Sequence, residues 1–220
     1  MLAAGLMALQ PVMAGSISGI VRAEGKEGAE ASGGAGNYSS KALKTAERIN
    51  YDEMREFVVY IKGPVAGAKL VRPLEEIHQK NATFIPHVLP IMVGATVEFP
   101  NDDNIFHNVF SKSEAAPFDL QLYKKGDPPK KVPFTKPGEV DVFCSIHSRM
   151  SCIILVLENP YYAVSDSRGR YSITNVPPGT YTLVAWQERL PQDSTVITVP
   201  ESGDCAGINF TLGPKNLPKY

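Results

Sequence analysis

At 220 residues, 43% of them hydrophobic, the chain is long enough for one large or two small domains with a buried core. A formal net charge of −1 leaves no broad basic field, which excludes nucleic acid or an anionic membrane surface as the general partner. Eighteen glycines and 18 prolines point to short strands joined by turns.

The opening run, MLAAGLMALQPVMAG, is apolar, has no Lys or Arg ahead of it, and closes on the small-residue pattern Val12-Met13-Ala14. It reads as an export signal over residues 1–15. It is too short to cross a bilayer, which takes about 20 apolar residues. The mature chain is therefore expected to be periplasmic or otherwise exported, with no membrane span.

Ser16–Ala23 alternates as a strand, whereas residues 24–50 lose all hydrophobic pattern and read as a flexible insert with a short helical turn at Lys41–Asn50. Glu56–Lys62 is a strand ended by Gly63-Pro64. Thr83–Leu89 and Ala95–Phe99 follow, separated by a Val93-Gly94 turn, and Pro86 and Pro90 mark an edge or a bulge. Phe118–Tyr123, Val132–Phe134, Val140–Cys144 and Cys152–Leu157 continue a series of short strands with turn signals between them, the pattern of a β-sandwich. The proline-broken turn KKGDPPKK at Lys124–Lys131 is read as a solvated basic turn, with docking of an acidic redox partner as its alternative. After Asn159-Pro160 a second set of alternating strands begins, with turns at Ser167-Arg168-Gly169 and Val176-Pro177-Pro178-Gly179.

The chemistry gathers in DVFCSIHSRM, residues 141–150, where Cys144, His147 and Met150 stand at C-x2-H-x2-M spacing. Thiolate, imidazole and thioether together are soft ligands that suit copper, whereas zinc gains little from a thioether. One short loop reaches round only part of an ion, so a second imidazole is expected from a separate strand. His107, within FPNDDNIFHNVFS, is the candidate, with Ile105, Phe106, Val109 and Phe110 expected to pack around it and Asp102-Asp103 making a turn. Two histidines, a cysteine and a weak axial methionine are the donor set of a blue-copper centre. Among rivals, His87 sits between hydrophobes as a structural residue, His78 reads as exposed, and Met54, Met92 and Trp186 read as packing residues.

H-N-V at 107–109 with C-S-I-H-S-R-M at 144–150 resembles the cupredoxins, the plastocyanin, pseudoazurin and amicyanin group. The short Cys-to-Met loop is most similar to amicyanin. F-I-P-H-V-L-P-I at 84–91, F-P-N-D-D at 99–103 and F-D-L at 118–120 are similar to periplasmic proteins of the methylamine-utilisation or plastocyanin-like type. The resemblance implies an all-β Greek-key sandwich over residues 16–158 with one type 1 copper ion on His107, Cys144, His147 and Met150. It also implies that the Asn108 amide ties the two ligand loops together by bonding Ser145, and that His147 is exposed in an apolar patch with Ile146 and Pro117. D-S-R-G-R-Y-S-I-T-N-V-P-P-G-T-Y at 166–181 resembles the carboxypeptidase regulatory-like (transthyretin-like) β-sandwich module, expected over residues 159–213. That module's usual opening strand resembles S-I-S-G-I-V-R, so the first domain is either inserted into the second or, as preferred here, precedes it.

Three cysteines leave Cys152 and Cys205 once Cys144 is given to the metal, either as a disulfide or as two buried thiols. No G-x-S-x-G or H-E-x-x-H motif is present, and four histidines are too few for a multicopper oxidase. The expected function is single-electron carriage between redox proteins rather than catalysis. Copper storage, sensing or delivery, and a scaffold without metal, are its alternatives.

Overall fold

The computed structural model describes residues 14–25, 50–70, 72–201 and 203–213. The expected export signal, apart from its last two residues, and nearly all of the expected insert with its helical turn lie outside them. Seventeen strands and one 3-10 turn, Tyr51–Glu53, make up the regular structure of the described residues, with no α-helix among them. The strands are β1 Gly15–Ala23, β2 Val58–Ile61, β3 Leu74–Glu76, β4 His78–Lys80, β5 Thr83–Ile85, β6 Val88–Met92, β7 Thr96–Phe99, β8 His107–Ser111 and β9 Phe118–Tyr123. They continue as β10 Lys130–Pro133, β11 Gly138–Phe143, β12 Ser151–Leu157, β13 Tyr162–Val164, β14 Arg170–Val176, β15 Gly179–Gln187, β16 Leu190–Val199 and β17 Phe210–Leu212. The fold is all-β, as the run of short strands implies.

A five-stranded sheet, β6-β12-β11-β8-β9, faces a three-stranded one, β10-β7-β3. Between them lies a core built from alternate residues: Val140, Val142, Ile154, Val156 and Val109 from the first sheet, Val97, Phe99 and Val132 from the second. The expected strand Thr83–Leu89 is divided into β5 and β6, because Pro86 has no N–H to give a ladder. β6 pairs only with β12, in parallel register, so Pro90 sits on an edge where its missing donor costs nothing. Gly94, at a φ of +87°, makes the expected turn into β7.

A second pair of sheets, β13-β2-β15-β16 and β14-β1-β17, encloses its own core around Ile17, Val59, Ile61, Ile173, Leu183, Val199 and Leu212. Strand pairing here cuts across the expected division at residue 158. β1 is antiparallel to β14 and parallel to β17, and β2 lies between β13 and β15. Both early strands therefore complete sheets whose other members follow residue 158, and the insertion order describes the chain better than the sequential one. The cause is apolar patterning: Ile17 and Val21 on β1, and Val59 and Ile61 on β2, are buried against residues of β14–β17. Gly19 permits the close approach, since a Cβ there would run into the Ile208 carbonyl.

The two halves meet through a third apolar cluster: Val58, Val88, Ile153, Leu155, Leu157 and Trp186. Trp186 packs as expected and its indole N–H donates to Glu139 Oε2 at 3.1 Å. At about 1.5–3 kcal/mol for each large aliphatic or aromatic side chain taken fully from water, this cluster dominates the contact. The His87–Glu188 pair at 2.7 Å, partly exposed, adds at most about 1 kcal/mol and chiefly fixes alignment. His87 is not a ligand to the metal loop. Its Nδ1 lies 3.0 Å from the Ser151 carbonyl and its Nε2 faces Glu188, so both nitrogens meet acceptors and both carry hydrogens in the imidazolium form.

Cys152 and Cys205 are free. Cys152 lies in the first core and Cys205 against the second, where its thiol donates to the Thr198 carbonyl at 3.2 Å. Burial pushes the Cys152 thiol well above the usual range, leaving it inert.

The hydrogen bond from His87 to Glu188 raises the imidazole's pKa against the opposing effect of burial, and lowers the carboxylate's. The histidine contribution is complete below its ordinary pKa of about 6.5 and fades as pH rises through the elevated folded value. The Glu188 contribution is present above about 4.3 and is lost as pH falls through the depressed one. Thermal melts of wild type and Glu188→Gln should therefore differ most between those two values and converge above them. A Tm difference that does not vary with pH would contradict the pair.

Candidate metal centre

The loop between β11 and β12 is short and tightly closed. The Cys144 N–H donates to the Met150 carbonyl at 3.1 Å, and the Met150 N–H donates to the His147 carbonyl at 2.9 Å. The two strands pair from Gly138↔Val156 to Phe143↔Ser151, so the ladder delivers Cys144 and Met150 to the same end of the sheet. Both are buried in the first core, at 6% and 1% exposure, while Ser145, Ile146, Ser148 and Arg149 are exposed.

His107 arrives from β8, the neighbour of β11, and is fully buried. Its Nδ1 lies 3.0 Å from His147 Nδ1, which in turn lies 3.6 Å from Cys144 Sγ. The three donor atoms fall within 4.8 Å of one another. Imidazole nitrogens and a sulfur directed at one another repel unless a proton or a cation is shared among them. The donor set therefore fits a thiophilic, nitrogen-loving metal ion. Of the expected four ligands, the structure brings His107, Cys144 and His147 together, and Met150 is buried in the same apolar core as Cys144.

A residue expected only to form a turn proves to be part of the site. Asp103 Oδ2 accepts from His107 Nε2 at 2.8 Å. The same carboxylate accepts the N–H groups of Asn81 at 2.8 Å and Ala82 at 2.9 Å, in the turn between β4 and β5. Burial works to raise the Asp103 pKa, but the hydrogen bonds from Ala82, His107 and Asn81 outweigh it and hold the group below the usual carboxylate range. The only sequence signal was spacing: Asp103 precedes His107 by four residues in FPNDDNIFH.

Asn108 departs from expectation. Its amide donates to Asp119 Oδ1 at 2.7 Å, not to Ser145. The ladder between β8 and β9 is bulged between Asn108 and Phe110, with Asp119 opposite Phe110, and Ser145 is exposed. Ile105 and Phe106 do not pack around the histidine either: each is 49% exposed, and the Lys124 ammonium lies 5.5 Å from the Phe106 ring centroid. Val109 is fully buried, as expected. Phe143 and Ile146 are also exposed, as is Pro117, so apolar side chains flank both histidine-bearing segments. His78 lies elsewhere, half-exposed between Glu76 and Asp102 at 2.9 Å from each. Clefts of about 280 and 230 Å³ border other regions and none of these donors.

A family model described as polysaccharide lyase family 4, domain II, matches residues 158–206, a name different from the module expected there. No curated protein matches the chain. Among solved structures, a copper-containing nitrite reductase from Thermus scotoductus SA-01 is 37% identical over 44% of the chain, with a TM-score of 0.37. The chain spans only 25% of that reductase's length. A purple cupredoxin from Nitrosopumilus maritimus is 26% identical over 37% of this chain and 98% of its own, with a TM-score of 0.34. A reduced Cu(I) form of a mutant amicyanin is 22% identical over 46% of this chain and 98% of its own, with a TM-score of 0.35.

An ion that binds the folded chain alone, present at 100 times its Kd, should stabilise it by about 2.7 kcal/mol. Calorimetry with added Cu(II) should show that increase for wild type and most of it lost in Cys144→Ser and His147→Ala. Equal Tm gains in all three proteins would place the metal elsewhere.

Proposed function

We propose that the protein is an exported single-copper electron carrier whose metal-holding unit is a cupredoxin. The observation that carries this reading is the approach of the two histidine Nδ1 atoms to 3.0 Å beside the cysteine sulfur, inside a β-sandwich core. A copper ion held there supplies a one-electron Cu(II)/Cu(I) couple. His107, Cys144 and His147 would hold it, and Met150, buried in the same core as Cys144, would be a further weak, soft donor that helps set the potential.

The protein's own part is to hold these donors still while an electron comes and goes. Cys144 and Met150 are fixed by the closed loop and the ladder below it, and His107 is walled off from water. His147, less buried than His107, is the ring nearer solvent and the route to a partner. Phe106, Phe143 and Ile146 offer apolar contact to a redox protein at that end. Absence of the hydrolytic motifs supports carriage over catalysis. The residues from β3 to β12 form the metal-holding unit in this reading, and export suits a chain that opens on an apolar run with a small-residue ending.

Copper titration followed by visible spectroscopy tests the reading. Wild type should develop an intense thiolate-to-copper band at one equivalent, bleach on reduction and recover on reoxidation, and His107→Ala should lose the band or its reversibility. A stable colour without cycling would favour storage or delivery, and no band at all would sink the copper reading.

A further inference from the structure

We infer that Asp103 is a positioning residue for this centre. Its carboxylate holds the His107 ring with the hydrogen on Nε2, so that Nδ1 offers its lone pair towards His147 and Cys144, and its charge favours the more positive state of an ion bound there. The inference rests on the copper reading for the ion's charge, but not for the ring's tautomer.

The contact between Asp103 Oδ2 and His107 Nε2 is 2.8 Å, with side-chain exposures of 14% and 0%. An ionised carboxylate only accepts hydrogen bonds, so the hydrogen between the two atoms belongs to Nε2. In a neutral imidazole the other nitrogen then carries the lone pair, and that nitrogen is the one 3.0 Å from His147. Rotating the ring by half a turn about Cβ–Cγ would put carbons where Nδ1 and Nε2 now stand and leave the carboxylate without its partner. Asp103 thus selects both the tautomer and the orientation.

The carboxylate is itself fixed on several sides. Its two oxygens accept from Asn81 and Ala82, its own N–H donates to Asn101 Oδ1 at 2.9 Å, and its carbonyl accepts from the Lys125 N–H at 3.3 Å. Asn101 in turn donates to the carbonyls of Ile105 at 3.1 Å and Tyr123 at 3.0 Å. Asn81 and Ala82 stand at φ of 55° and 53°, a region that costs a non-glycine residue about 1–2 kcal/mol. The two bonds to Asp103 help hold that turn, and the turn holds the carboxylate in place for His107. Partners one step removed from a metal alter its affinity typically by about 10- to 100-fold.

Two variants separate the roles. Asp103→Asn keeps an acceptor of nearly the same shape and removes the charge; Asp103→Ala removes both. The first readout needs no metal. Nitrogen-15 NMR of the imidazoles in the metal-free protein, above the histidine titration range, should show His107 as the Nε2–H tautomer in wild type and a mixture in Asp103→Ala. The second readout is the loaded protein: Cu(II) affinity by chelator competition, and potential by redox titration. Asp103→Asn should bind Cu(II) about 10-fold more weakly with a smaller loss for Cu(I), which raises the potential, and Asp103→Ala should approach the 100-fold end.

A wild-type ring carrying its hydrogen on Nδ1 would overturn the inference, whether or not copper binds. So would a potential unchanged in Asp103→Asn when that variant keeps the wild-type Tm. Failure of wild type to bind copper would instead remove the reading of the previous subsection, and the tautomer would then decide the role of Asp103.

Discussion

Crowding of electron-pair donors, which a shared proton or cation relieves and the packing around them maintains, is the constraint from which the rest of this structure follows. Two ring nitrogens at 3.0 Å, with a sulfur 3.6 Å from one of them, stand at hydrogen-bond distance, so a proton between them relieves the repulsion where no cation does. They are kept there because each donor arrives on an element fixed for other reasons. Cys144 follows β11 at the rim of a paired ladder, Met150 turns the chain back into β12, and His107 begins the neighbouring β8. The apolar core below, with Phe99, Phe134, Val140 and Ile154 all fully buried, resists the small shifts that would let the donors part. Directed at one another in this way, the donors need little rearrangement to accept an ion.

The second half of the molecule is attached on the opposite face of the same five-stranded sheet. Alternation along β12 explains how: Cys152, Ile154 and Val156 face the metal-side core, whereas Ile153, Leu155 and Leu157 face β2 and Trp186. A near-continuous apolar run, CIILVL, is what a strand covered on both sides should look like. His87 spans this junction, since it touches Glu188 on one side and the carbonyl of Ser151, next to Met150, on the other.

Much of this was legible in the residues. The C-x2-H-x2-M spacing pointed to Cys144 and His147 because the loop is local, and His107 could be reached by asking what such a loop lacks. Turn and strand signals such as Val93-Gly94 and the alternation of 140–143 survived into the fold. What escaped were relations between segments distant in the chain. The resemblance of S-I-S-G-I-V-R to the second module's opening strand offered the insertion order without fixing a place between β14 and β17, and Glu56–Lys62 gave no sign of joining β13 and β15. Asn108 was assigned to Ser145 by resemblance, but a bulge of one residue in the β8–β9 ladder gave it to Asp119 instead. Asp103 was taken for a turn former, which it is, because sequence shows which atoms are near along the chain and not which lone pair faces which ring.

The insertion of the metal-holding unit between strands of its neighbour has a consequence for how the molecule comes into being. Ile17 must find Ile173, and Val21 must find Phe210, so the first of the described strands has its partners among the last of them. Until those arrive, an apolar ribbon stays unpaired, open to chance association or to a chaperone's grip. The intervening β3–β12 unit has no such wait, because its sheets close on themselves. It can condense first and, in doing so, draw the two ends of its host together, shortening the search that the long separation would otherwise impose.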